Sequence, residues 1–285
     1  MARVGVVLAG LVSLASTSVR ADVARSPVID GDYQVGSFGT LRLTSKPAAD
    51  SRFLVEGAFV TSTRCKFDSG QVLLEGRTEG SVMIGTLTTC IEGSGCQSPA
   101  KLSLMTVLSE GALTGYLSLP KGCDAPGLEQ RVSLQLSPDS LMAAGNAFLK
   151  AGNFERAAGA FRRLSELPER REDLEVLSQL GAAYNSNKQY AEGRKVLERA
   201  SVLPSFPTAL AATRSLILYN LGCAEAVLSE KDAALVPKAI AHVGQALAIK
   251  GSEVSREDAA ADGDLTALRS NPDFQKLLAQ KKGPR

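Results

Sequence analysis

Two different spacings of apolar residues divide this chain. Up to about residue 137, apolar and polar residues alternate in short runs: Gly39–Leu43, Phe53–Val60, Val72–Arg77, Val82–Thr88, Lys101–Leu108, Ala112–Leu119 and Arg131–Leu136. Alternation with period two, broken by Gly, Asp and Pro, predicts seven or so antiparallel strands. Gly57, Gly76, Gly85 and Gly115 fall inside these runs. Glycine within a strand marks a bend that lets a sheet coil, so the expected product is a meander closed as a barrel or packed as a sandwich. From Ser137-Pro138-Asp139 onward the apolar spacing becomes three to four, and Ala, Leu, Glu, Arg and Lys dominate. Ser137 or Asp139 can cap the first helix, with Pro138 at its entry, and little room is left for a linker. The predicted fold class is therefore multidomain β + α: an antiparallel β meander followed by an all-α helical array.

The first residues follow neither pattern. Arg3 precedes twelve uncharged, mostly apolar residues, Val4 to Ala15, and Val19-Arg20-Ala21 supplies a small-residue cleavage pattern. Twelve helical residues span about 18 Å, short of the roughly 30 Å hydrocarbon core of a bilayer. The segment reads as a secretory signal, giving three parts: signal peptide 1–21, β-rich domain 22–137 and helical domain 138–285. No Cys precedes Cys65, so a lipid anchor is not expected there. Removing 1–21 takes away two arginines and no acid, leaving equal numbers of acidic and basic side chains. That balance gives no basis for nucleic-acid binding.

Export changes the meaning of the cysteines. Cys65, Cys90, Cys96 and Cys123 all lie in the first half, and in an oxidising compartment four thiols imply two disulfides. Three pairings are open. The Gly-rich stretch between Cys90 and Cys96 favours a tight loop there, which leaves Cys65 with Cys123. A zinc site built from the four thiolates competes, but it lacks a C-x2-C pair. Cys223, alone in a helical stretch, is expected to be a small buried residue.

Within the helical half a pattern recurs. Leu141-x3-Gly145-x2-Phe148 is followed by Gly152, Phe154, Ala157, Phe161 and Pro168. Leu177-x3-Gly181-x2-Tyr184 is followed by Tyr190, Gly193, Leu197, Ala200 and Pro204, and the two central glycines lie 36 residues apart. The pattern resembles the tetratricopeptide repeat family, whose unit of roughly 34 residues is a helix–turn–helix. A third unit resembles it less closely: Tyr219 to Cys223 opens it, Lys238 to Leu247 closes it, and Pro237 with extra residues makes its turn atypical. Gly193 stands where the family favours Ala. Asp264 to Leu278 resembles the closing helix of such arrays. The resemblance covers about 139–280. It implies a concave face that binds extended or helical peptides, and places Met142, Asn146, Lys150, Ser178, Asn185 and Asn220 on it. The first half is loosely similar to exported calycin-type barrels; their Gly-x-Trp signature is matched at best by Gly115-Tyr116, since the chain has no Trp.

Chemistry is sparse. The chain has one His, which excludes a multi-histidine zinc site, and it carries no HExxH, GxSxG, GxGxxG or P-loop motif. Gly80 to Gly85 has P-loop glycine spacing, but Thr86-Leu87 replaces the required Lys-Ser/Thr, so it reads as strand. Asp30/Asp32 and Asp262/Asp264 read as turn or cap carboxylates, Glu75 and Glu79 as turn charges, and His242 as a packed helix residue. The expectation is a non-enzymatic exported adaptor, periplasmic or secreted, without cofactor or metal. It binds a protein or peptide partner of the cell envelope through the concave face. The alternative is a carrier of a hydrophobic molecule or glycan in the β domain, with the repeats as docking module.

Overall fold

The computed structural model describes residues 30–48, 52–62, 64–109 and 111–280. The proposed signal segment lies outside them. Eight strands form a closed antiparallel barrel: β1 (Gly31–Val35), β2 (Gly39–Pro47), β3 (Phe53–Ser62), β4 (Val72–Glu79), β5 (Val82–Thr89), β6 (Ala100–Ser109), β7 (Ala112–Leu117) and β8 (Arg131–Leu136). Each strand pairs with the next, and β8 returns to β1 with Leu136 opposite Tyr33 and Leu134 opposite Val35. The strand beyond the seven alternating runs is β1. Its inward residues are Tyr33 and Val35, and it begins within Asp30-Gly31-Asp32, which reads as a turn in the sequence.

Inward positions fill the barrel. Val35, Leu41, Leu43, Val55, Met83, Leu87, Leu104 and Leu134 are all fully or almost fully buried. An eight-stranded barrel is just wide enough to be filled by such side chains or to hold one small ligand, and here the chain's own side chains occupy it. Each fully buried side chain of this size contributes about 1.5–3 kcal/mol. Two interior glycines permit the curvature. A Cβ at Gly85 would sit 2.3 Å from the carbonyl oxygen of Glu75, and one at Gly115 would sit 1.9 Å from that of Met105. Neighbouring strands therefore approach more closely there than any side chain allows.

The longer connections β3–β4, β5–β6 and β7–β8 leave one end of the barrel, where the disulfides lie. The bonded pairs are Cys65–Cys90 and Cys96–Cys123, with Cα separations of 5.8 and 5.9 Å. All four predicted cysteines are used, but the Cys90–Cys96 pairing favoured by the sequence does not form. The β5–β6 connection lies between its two neighbours. Cys90, at its start, faces the β3–β4 connection, and the loop then runs beside β7–β8, where Glu92 and Asp124 exchange main-chain hydrogen bonds of 2.8 and 2.9 Å. Each bridge thus joins adjacent connections, whereas Cys65–Cys123 would have to cross the loop between them.

The helical half follows β8 without a linker. Helix α1 (Pro138–Lys150) is capped by Ser137, whose hydroxyl accepts from the Ser140 amide, with Pro138 in the first turn. The Ser137 amide donates to the Asp32 carbonyl (2.7 Å), and the Asp32 amide donates to Ser140 Oγ (3.1 Å). Arg163 adds a 2.6 Å hydrogen bond to Gln135, and one apolar core runs from the barrel through α1, α2 (Phe154–Glu166) and α3 (Leu174–Ser186). Helices α4 (Tyr190–Ser201), α5 (Ala211–Leu228) and α6 (Val236–Ala248) complete three antiparallel pairs. In each pair a glycine on the first helix admits a large residue from the second: Gly145 with Phe161, Gly181 with Leu197, Gly222 with Val243. A Cβ at these glycines would lie 2.4 to 2.7 Å from the partner side chain. In the third pair the extra residues form a 3-10 turn, Ala233–Leu235. The expected single closing helix is instead α7 (Arg256–Ala261), a 3-10 turn (Gly263–Leu268) and α8 (Pro272–Ala279). Asn271 caps α8 and Pro272 opens it, which ends the preceding turn. Among the described residues no helix is long and apolar enough to cross a membrane.

Non-reducing proteolysis should yield the linked pairs Cys65–Cys90 and Cys96–Cys123, with Cys223 alkylated only after unfolding. The bridges enclose loops of 25 and 27 residues, so reduction should cost about 3 kcal/mol of stability for each. Peptides joining Cys90 to Cys96 would contradict this topology.

Candidate partner-binding surface

The six residues assigned to a concave face do not share one environment. On α1, Met142 and Asn146 are half-buried and Lys150 is exposed. Neither the Asn146 amide nor the Lys150 ammonium has a hydrogen bond or ion pair among the described residues. On α3, Ser178 and Asn185 are each only 5% exposed. Asn220 is half-buried, and its carbonyl accepts from Asn185 Nδ2 at 2.8 Å. Helix α5 packs directly on α3, so the helical period places Ser178 and Asn185 on the expected face while the next helix covers that face. Asn185 ties two helices together and is not presented to a ligand.

Asn185 also accounts for Gly193. A Cβ there would lie 2.2 Å from Asn185 Oδ1. The amide occupies the volume of the Ala methyl, and the helix carries the glycine's cost of about 1 kcal/mol in exchange.

At the third pair the corresponding face is closed by the chain itself. Tyr219 Oη donates to Asp262 Oδ2 (2.7 Å), Cys223 Sγ lies 3.6 Å from the same oxygen, and Tyr190 Oη donates to Asp264 Oδ1 (2.8 Å). The Asp264 amide donates to Asp262 Oδ1 at 2.9 Å, so the turn is braced internally as well. Burial, with the Asp264 hydrogen bond second, pushes the Tyr190 phenol up to about 12. Burial foremost, with Cys223 and Asp262 beside it, raises Tyr219 further, and burial raises the Cys223 thiol. Both phenols and the thiol therefore stay protonated donors at neutral pH, and Cys223 is no nucleophile. Leu265, Leu268 and Phe274 are fully buried beneath this turn. The paired carboxylates at 262 and 264 thus serve as a turn and a dock.

A second polar cluster was not anticipated. Glu225 sits three residues after Gly222, the position held by Phe148 and Tyr184 in the first two pairs. It is 1% exposed. His242 Nδ1 lies 2.7 Å from its Oε2, and Arg194 Nε lies 3.5 Å from its Oε1. A buried carboxylate here replaces an aromatic contact with a hydrogen bond to His242 and an ion pair with Arg194, joining α4, α5 and α6. The glycine register pointed to position 225; nothing local marked it as buried. Among the described residues no group of three His, Cys, Asp or Glu side chains is arranged to hold a metal ion.

The barrel offers one open recess of about 570 Å³ where β1 and β8 part, lined by Gly36, Ser37, Gly127, Glu129 and Arg131 among others. Its lining also includes Leu128 and Val132, which belong to the barrel core.

Gly193→Ala should destabilise the protein by about 1–3 kcal/mol, although Ala is the better helix former. In an Asn185→Ala background the same change should be neutral or stabilising, a coupling that chemical denaturation of the four variants reads out. Additive effects would contradict the steric account. Burial raises the Asp264 carboxyl above its ordinary value of 3.8, against the opposing Tyr190 hydrogen bond. A raised folded value means stability that is complete below pH 3.8 and lost as pH rises through the folded value. Asp264→Asn should therefore stabilise at neutral pH by at most ~1 kcal/mol, the site being partly solvated, and the gain should vanish below about pH 4.

No protein-family model matches the chain, and no curated protein matches it.

Proposed function

We propose that this chain is an exported, non-enzymatic interaction protein that binds a protein partner in the cell envelope through the α1 end of its helical array. The observation that carries this reading is the state of the α1 face. Asn146 and Lys150 have no side-chain partner among the described residues, and Met142 lies beside them, while the equivalent faces further along are covered by α5 and by the Asp262–Asp264 turn. An unpaired amide offers both donor and acceptor to a peptide backbone, and a free ammonium attracts a carboxylate. The tetratricopeptide-like reading of the helical pairs supports peptide recognition on this side, with a site shorter than three full repeats would supply.

Export is supported by the two disulfides and by the signal-like pattern of residues 1–21. Packing of the barrel interior favours a scaffold role for the β domain over the carrier alternative, since a ligand there would have to displace buried leucines.

The test is affinity capture from envelope extract of the source organism, with oxidised 22–285 as bait and Asn146→Ala/Lys150→Glu as control. A specific partner should be retained by the bait and reduced at least about tenfold by the control. Equal capture by both would overturn the assignment of the face. No partner, together with a melting temperature raised by hydrophobic or glycan ligands, would replace it with the carrier reading.

A further inference from the structure

The outer wall of the barrel carries an apolar patch that the array leaves uncovered. Met105 is 54% exposed, Val107 52% and Ile84 42%, and Val82 adjoins them half-buried. These residues are direct cross-strand neighbours: Val82 opposite Val107, and Ile84 opposite Met105. They belong to two rows running around the wall. One row is Glu79–Val82–Val107–Thr114, and the other is Arg77–Ile84–Met105–Tyr116. Contiguous exposed apolar side chains of this kind mark an interaction surface.

The order of residues within the rows identifies the occupant. The rows lie two residues apart along each strand, about 7 Å. A two-fold axis in the plane of the wall, perpendicular to the strands and midway between the rows, exchanges one row for the other. It sets Arg77 against Glu79 of a second copy and Glu79 against its Arg77. In the same operation Val82 meets Ile84 and Val107 meets Met105. The patch is thus self-complementary in charge as well as in polarity, the requirement of an isologous contact. Strand β5, at its centre, lies three strands from β8, on the side of the barrel away from β1 and β8, where α1 is joined.

We propose that the β4–β5–β6 wall is a homodimer contact in which two barrels pack antiparallel about this axis. Two convex walls touch over a narrow strip, well short of the roughly 800 Å² per partner of a stable complex. The dimer is therefore weak and forms where the chain is concentrated. The ion pairs set its register: Arg77 lies 3.7 Å and Arg52 3.6 Å from Glu79 within one chain, and association exchanges the two intrachain Arg77–Glu79 pairs, one per copy, for two between chains.

Sedimentation velocity of the oxidised chain up to about 500 μM should show reversible dimerisation with a dissociation constant between about 10 μM and 1 mM. Met105→Lys and Arg77→Glu should each weaken it at least tenfold with unchanged melting temperature, since both positions are exposed. The charge exchange Arg77→Glu/Glu79→Arg restores opposite charges across the axis, and it should return the constant to within about threefold of the original. A chain that stays monomeric at 500 μM, a dimer indifferent to Met105→Lys, or a double exchange no better than Arg77→Glu would each overturn the proposal. None of these outcomes bears on the α1 face, which lies outside the contact.

Discussion

Asp32 joins the two halves of the molecule through its main chain. Its carbonyl receives the Ser137 amide and its own amide is bound by Ser140, so a residue of β1 holds the first turn of the helix that follows β8. The same stretch closes the barrel, because β1 meets β8 through only three residue pairs before the strand ends. Closure and docking therefore depend on each other. If α1 moved away, β1 would lose the partners of Asp32 at the end of its shortest ladder. The Asp32 carboxylate also accepts from Nε and Nη2 of Arg42 at 2.6 and 2.9 Å, which lowers it from its ordinary value and secures β1 to β2. The continuous core from barrel to α3 is the apolar counterpart of these polar links. The α1 face is thus presented by a helix anchored on a closed sheet rather than by a flexible appendage.

Beyond α3 the array combines two further apolar clusters with directed polar contacts. Asn185 reaches the α5 backbone, Glu225 gathers Arg194 and His242, and two tyrosines hold the Asp262–Asp264 turn. These contacts are specific in direction, although Asn185 Oδ1 and Arg194 Nε stay without a hydrogen bond among the described residues, and together they define one packing arrangement among the many that Ala- and Leu-rich helices permit. Removing a single member is expected to do more harm than the pair contributes, because its partner would remain buried and unmatched.

Much of this architecture was legible in the sequence, for physical reasons that also explain the gaps. Period-two alternation marked seven of the eight strands, and it passed over β1, which starts within Asp30-Gly31-Asp32 and so reads as a turn. The change of period at Ser137 located the junction because a strand ends and a capped helix begins within two residues. The 36-residue spacing of Gly145 and Gly181 marked the first two helical pairs, and Gly222 takes the same part in the third, since only glycine admits Phe161, Leu197 or Val243 at that distance. The disulfide pairing was not readable, because it depends on which barrel connections lie side by side and not on separation along the chain. Ser178 and Asn185 were assigned to an open face of α3 and are buried instead, because a helical period carries no information about a later helix packing over that face. Glu225 escaped notice for the same reason: its partners come from helices 31 residues before it and 17 after.

The central claim is that the solid barrel and the covered end of the array leave the α1 face as the working surface. Site-specific photocrosslinking in intact envelope tests it most directly, with a photoreactive side chain at Asn146 and, for comparison, at Lys195 on the exposed side of α4. The account predicts a discrete crosslinked protein from position 146 and none from position 195. Crosslinks of equal yield from both positions, or from 195 alone, would contradict it.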